Sequence, residues 1–259
     1  MSAALLSTSH GQTLVLTLSN PEQRNALGPD IYAAGIEALN VAESSPEVRS
    51  VVITGAGALF SVGADLQRLQ ASRREPAAHQ VQDTEGLHSW IESIHTFPKP
   101  VIAAVEGAAA GSAFSLVLAC DLVVAASNAV FVMAHSTVGL SPDGGASWSL
   151  AHALPRQLAA ELLMLGERIA AERLHVLGLV NRIAAPGAAL AEALALADRL
   201  NARAPNALAS IKELLGEAGA ATLPAQLNHE RDHFVANLHQ ANAGIGMAAF
   251  LDKTTPRYS

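Results

Sequence analysis

Three short runs constrain this chain more than anything else in it. Val51–Thr54, Val101–Val105 and Asp121–Ala126 are almost wholly apolar and rich in β-branched residues and alanine. A strand without polar alternation is buried on both faces, and such strands occur in parallel sheets covered by helices. Helical stretches fall between them. Pro29–Ala42 has proline early and Ile31, Ile36 and Leu39 at helical spacing, a segment begins at Leu66–Leu69, and Ser112–Ala119 follows the second run. Thr13–Ser19 alternates like a half-buried strand and ends at Asn20-Pro21. Arg73–Gln82 is polar, contains Pro76 and is expected to be a surface loop. Strands alternating with helices predict an α/β fold with parallel pairing. After Val180 the pattern turns all-helical, with helices expected over Ala189–Ala204, Ala207–Ala220, Ala225–Gln240 and Ile245–Lys253.

Composition excludes several classes of function. The 259 residues suit one large domain, or one with an appendage. A net charge of −7 and no Lys/Arg cluster argue against nucleic acid as a partner. Cys120 is the only cysteine, so neither an intramolecular disulfide nor a thiolate zinc site can form. Met1–His10 lacks the features of a secretory signal. Ala108–Ala126 is nearly long enough to span a bilayer, but Gly111, Ser112, Ser115 and Asp121 interrupt it. It reads as a buried helix followed by a buried strand. The expectation is a cytoplasmic protein that does not engage a membrane.

Three motifs bear on chemistry. Gly55-Ala56-Gly57 after a strand imitates a dinucleotide fingerprint, but Phe60 holds the third glycine position, so a tight turn is the better reading. His229-Glu230-Arg231-Asp232-His233 matches H-E-x-x-H, with His239 at the spacing of a third zinc ligand, and opens a metalloprotease reading. The helical wheel opposes it. Leu227, Phe234 and Leu238 form a narrow stripe expected to face the core, which leaves His229 and His233 towards solvent. Ala236 also stands where the extended motif requires glycine, so no metal site is assigned. The third candidate is a constellation. Ser61–Leu66 and Gly107–Ser112 both lie between a strand and a helix, where free backbone N–H groups can meet an oxyanion. The turn-rich Gly139–Gly145 loop adds one carboxylate, Asp143. Two donor sites and a carboxylate suit proton abstraction next to a carbonyl.

With these elements in order, the sequence resembles the crotonase family, the enoyl-CoA hydratases and isomerases. The matching segments are Asn20-Pro21, Arg24–Leu27, Val52–Gly55, Phe60–Leu66, Lys99–Gly107, Ala119–Asp121, Phe131–Met133 and the tail Ala248–Lys253. The resemblance covers almost the whole chain. It implies a spiral of ββα turns over residues 1–190 carrying an acyl-CoA site, and a helical trimerisation region over 191–259. It places an oxyanion hole at the backbone N–H groups of Ala64 and Ser112. It assigns the CoA channel to Arg24, Asn25, Ala26, Leu27, Phe60, Ser61, Val62 and Gly63, with Phe250 and Lys253 reaching a neighbouring subunit's nucleotide. No cofactor is implied, because CoA enters as part of the substrate. The implied assembly is a homotrimer or a dimer of trimers.

Within that family the acid/base groups decide the reaction. Hydratases carry two glutamates where this chain has Ser115 and His135, which disfavours ordinary water addition. The Pro142–Gly145 loop is similar to a branch that uses a single aspartate, including double-bond isomerases and the ring-epoxide isomerase of phenylacetate breakdown. The expectation is an acyl-CoA isomerase with Asp143 as base and His135 as candidate second acid/base group. The alternatives are a hydratase, a thioester or halide hydrolase on the same fold, and a non-catalytic acyl-CoA binder.

Overall fold

The computed structural model describes residues 4–258. Its main sheet has the order β1 (Ala4–His10), β2 (Thr13–Ser19), β3 (Ser50–Gly55), β4 (Val101–Val105), β6 (Leu122–Ala126) and β9 (Arg182–Ala184). β1 pairs antiparallel with β2, and every other pairing in the sheet is parallel. The register puts Leu16, Ile53, Ala103 and Val123 in one row and Val15, Val52 and Ile102 in the next. The two rows enter separate hydrophobic clusters. Both faces are thus covered, which is why these strands show no polar alternation.

The first face packs under α1 (Pro29–Ser44), α3 (Ala77–Thr96) and α4 (Ser112–Ala119). The approach of α1 to α3 depends on Gly35, since a Cβ there would sit 2.2 Å from Trp90 Cε2. The second face packs under α8 (Ala189–Asn201), through Ala189, Ala193, Leu196 and Ala197. A smaller sheet joins β5 (Ala108–Ala110), β7 (Val130–Val132) and β8 (Arg168–Ala170). Gly107, at φ +57, turns the chain from β4 of the main sheet into β5 of the smaller one.

The expected strands and helices form, with ends shifted by a few residues. The sequence reading passed over α5 (Ala146–Ala153), α6 (Arg156–Leu165) and α7 (Ala171–Val176). It also misplaced Arg73–Gln82. Only its first residues, 73–76, form a turn after α2 (Leu66–Ser72); from Ala77 on it is the start of α3, with Pro76 as the N-cap residue. The segment is mostly exposed, as its polarity suggests, while Gln80 and, just beyond it, Asp83 and Thr84 of α3 line a cavity.

The C-terminal helices are α9 (Pro205–Ala218), α10 (Leu223–Leu238) and α11 (Ala241–Leu251). Here the orientation expected for α10 is reversed. Leu227, Phe234 and Leu238 are exposed by 54%, 68% and 43%, and it is the histidines that face α9. His229 Nδ1 lies 2.5 Å from Glu217 Oε2, and His233 Nδ1 lies 3.0 Å from Ser210 Oγ. A hydrophobic stripe must be covered, but nothing in the stripe says by which surface. Among the described residues no helix is long and apolar enough to cross a membrane.

Candidate active site

The site begins with a loop that side chains cannot easily disturb. Asn25 is buried and stands at φ +56. Its Oδ1 accepts from Asn20 N (3.0 Å), while its Nδ2 donates to the carbonyls of Ala56 (2.9 Å) and Leu59 (3.0 Å). Ser61 Oγ donates to Asn25 O at 2.6 Å and accepts from Gly63 N at 3.0 Å. Leu27 N donates to Gly63 O at 2.8 Å, and Ser61 exchanges backbone bonds with Ala108 and Ala110. These bonds hold Ala64 in place and leave its N–H without a partner among the described residues.

Ser112 is the first residue of α4, so its N–H has no intrahelical acceptor. Gly63 brings it against the Ala64 loop. At φ +81, a Cβ on Gly63 would lie 2.4 Å from Ala110 O and 3.1 Å from Ser112 N. Two unused backbone donors therefore sit on adjacent segments, one of them carrying the positive end of a buried helix.

Ala64, Ser112, His135 and Asp143 all line one cavity of about 470 Å³. His135 sits on a 3-10 turn at Ala134–Val138, and Leu140 N donates to His135 O at 2.9 Å, bending the chain into the Gly139–Gly145 loop. Ser115 on α4 holds that loop, its Oγ donating to Asp143 O at 2.9 Å. Gly144 allows the close fit, since a Cβ there would lie 2.9 Å from Ser115 Cβ. His135 Nε2 is 3.2 Å from Asp143 Oδ1, near enough for an ion pair but not aligned as a hydrogen bond. Asp143 Oδ1 and His135 Nδ1 are both buried without a hydrogen-bond partner among the described residues. A buried carboxylate oxygen left unpaired is costly in a merely structural position.

Of the residues assigned to a CoA channel, Leu27 and Val62 line this cavity. Asn25, Phe60 and Ser61 are buried and brace the loop, Ala26 is buried beside them, and Arg24 is exposed at φ +53. Phe250 and Lys253 lie on the surface at the end of α11, away from the cavity. Sequence reasoning missed Tyr32, Arg68 and Asp83, which line the cavity from α1, α2 and α3. Tyr32 carried the one legible signal, a polar handle on the buried face of a helix. Burial first, and then the Asp143 carboxylate, pushes its phenol above the usual tyrosine range.

A larger cavity of about 940 Å³ lies among α3, α5 and α9. It touches Gly144 and His88 but contains neither the free N–H groups nor Asp143. The smaller one is the candidate site, since it alone of the two brings the free backbone donors together with the Asp143 carboxylate and its His135 neighbour.

This is the architecture of an α/β spiral built around a cavity that holds two free backbone donors and a carboxylate. Residues 9–259 match the family described as Enoyl-CoA hydratase/isomerase. The chain is 33% identical to the 1,2-epoxyphenylacetyl-CoA isomerase of Escherichia coli K12, across 98% of each protein. It is 36% identical to a putative enoyl-CoA hydratase of Thermus thermophilus, across 98% of this chain and all of that one. Among solved structures, an enoyl-CoA hydratase from Polaromonas sp. JS666 superposes with a TM-score of 0.98 at 72% identity, covering 98% of this chain and 99% of that one. The chain belongs to the enoyl-CoA hydratase/isomerase family, the crotonases. Its relatives carry both isomerase and hydratase names.

Proposed function

We propose that this protein is an acyl-CoA isomerase that removes a proton next to the thioester. The observation that carries the reading is Asp143, whose buried Oδ1 accepts no hydrogen bond and shares a cavity with the free N–H groups of Ala64 and Ser112. Asp143 takes the α-proton. Charge moves to the thioester oxygen, which the two N–H groups stabilise as an enolate. The proton then returns at another carbon, and the electron pair moves with it, giving a double-bond shift or the opening of a strained ring. His135 is the candidate second acid/base group, because it faces Asp143 and lines the same space. Ser115 has its hydroxyl committed to the Asp143 carbonyl, so it positions the loop and supplies no base.

The substrate class is an acyl-CoA thioester, with CoA entering as part of the substrate and no further cofactor. The assembly proposed is a homotrimer or dimer of trimers, with residues 191–259 as the oligomerisation region and Phe250 and Lys253 reaching a neighbour's nucleotide. The exposed apolar residues of α9 to α11 support this. The single cysteine fits a cytoplasmic setting.

The test is α-proton exchange into deuterated water with an unsaturated acyl-CoA. Asp143→Asn keeps the shape and removes the base, so kcat should fall by at least about 10²-fold. Ser115→Ala should cost far less. Exchange at the wild-type rate by Asp143→Asn would remove Asp143 from the mechanism.

A further inference from the structure

The acyl cavity is not uniformly apolar. The loop carrying Val62 and the Val138–Leu140 turn form a hydrophobic wall, whereas α1, α2 and α3 contribute Tyr32, Arg68, Gln80, Asp83 and Thr84. Most of these polar groups are already engaged with one another. Thr84 Oγ1 donates to Gln80 O at 2.8 Å, and Gln80 Oε1 accepts from Ser72 Oγ at 3.0 Å. Asp83 accepts from Arg68 Nη2. Two donors are left over. The Tyr32 side chain is only 6% exposed, and its hydroxyl has no hydrogen-bond partner among the described residues. The rest of the Arg68 guanidinium has none either. The ring is packed away, but the hydroxyl stays accessible from the cavity, a free donor for a ligand that replaces water there.

Charge narrows the choice of ligand. Asp65, Asp83 and Asp143 line the cavity against the single guanidinium of Arg68. An acyl group ending in a carboxylate would meet net repulsion here, whereas a neutral oxygen would meet two donors and no penalty. The phenol keeps its proton under ordinary conditions, since its titration lies above the normal range.

We propose that Tyr32 and Arg68 form a polar subsite that selects acyl groups bearing a neutral oxygen acceptor — a hydroxyl, carbonyl or ether oxygen — beyond the α-carbon. The inference rests on the acyl-CoA reading above and deepens it by naming the acyl class. Tyr32 is a specificity-determining residue in this scheme. Its hydroxyl hydrogen-bonds the distal oxygen, and its ring stays packed at 6.3 Å from Trp90.

Equilibrium binding of saturated thioesters, which have no double bond to shift, to the full-length protein tests this. The probes are butyryl-CoA, 3-hydroxybutyryl-CoA, 4-hydroxybutyryl-CoA and glutaryl-CoA. At least one hydroxylated thioester should bind about tenfold tighter than butyryl-CoA, as one well-made hydrogen bond provides. Glutaryl-CoA should bind more weakly than both hydroxylated probes. Tyr32→Phe keeps the ring and should abolish the hydroxyl preference. Arg68→Met should reduce it. The proposal is overturned if wild-type protein binds butyryl-CoA as tightly as both hydroxylated probes, if Tyr32→Phe preserves the preference, or if glutaryl-CoA binds tightest. Failure of all four thioesters to bind overturns the acyl-CoA reading itself. Binding with the expected preference but no proton exchange on any unsaturated analogue would leave this subsite standing and sink the isomerase mechanism.

Discussion

At the scale of single residues, Gly63 shows how sequence becomes an active site. Its φ of +81 lies in the region that favours glycine, and the space a Cβ would need is already filled by Ala110 O. The residue is glycine because the Ala64 loop must press against the start of α4 if the two N–H groups are to converge. Gly63→Ala should therefore lower kcat for proton exchange by about 10²-fold, the usual cost of losing one oxyanion donor. The accompanying loss of stability should exceed the about 1–2 kcal/mol of an L-residue forced into that backbone region, because the Cβ also meets Ala110 O. Chemical denaturation and the exchange assay on the same sample separate the two effects. Undiminished exchange in a folded variant would mean that the Ala64 N–H is not a donor to the transition state.

At the scale of elements, two helices carry predictions. His95 on α3 is exposed at the edge of the larger cavity, where partial desolvation first, then the Lys212 ammonium, lowers its pKa, while Asp121 acts the other way. In the unfolded chain it titrates near about 6.5. Below that pH the unfolded state takes up a proton that the folded state refuses, so this contribution to stability is present above about 6.5 and is lost as pH falls towards the folded value. Between pH 7.5 and 5.5 the melting temperature of wild type should drop more than that of His95→Gln. Equal slopes would dismiss the assignment. On α10, His229 lies beside Glu217 of α9 and His233 bonds to Ser210 of α9. Replacing both with alanine should loosen the α9–α10 contact by about 1 kcal/mol or less, as partly exposed polar pairs do. Proton exchange should stay within a few-fold of wild type, and elemental analysis of the two proteins should agree. Loss of stoichiometric zinc together with activity would instead revive the H-E-x-x-H reading.

At the scale of the whole molecule, the outward faces of the C-terminal helices stand out. Leu215 is 72% exposed, Phe234 68% and Phe250 84%. α9 is nonetheless tied to the body through Lys212, whose Nζ donates to Ile94 O and Asp121 Oδ2, each at 2.8 Å. A helical layer anchored on one side and apolar on the other calls for a partner surface. Wild-type protein should scatter light as a trimer or hexamer at micromolar concentration. Leu227→Asp combined with Phe234→Asp should shift it towards monomer. A wild-type monomer under those conditions would refute the assembly.

The fold class was legible because burial on both faces of a strand erases polar alternation, a local property that Val51–Thr54 and Val101–Val105 display without any partner. Asp143 and the two donor segments were legible for a similar reason: turns, glycines and helix starts are written in short stretches of chain. Tertiary structure alone decided the rest. Whether the polar start of α3 was a loop or a cavity wall depended on what packed against Gln80 and Thr84, not on their own pattern. Which way α10 turned its stripe depended on α9, because periodicity fixes the angle between faces but not the direction of the core. The convergence of Tyr32 with Arg68 and Asp83 on one space joins α1 to the α2–α3 pair across more than thirty residues of chain, and no spacing along the chain encodes a distance across a cavity.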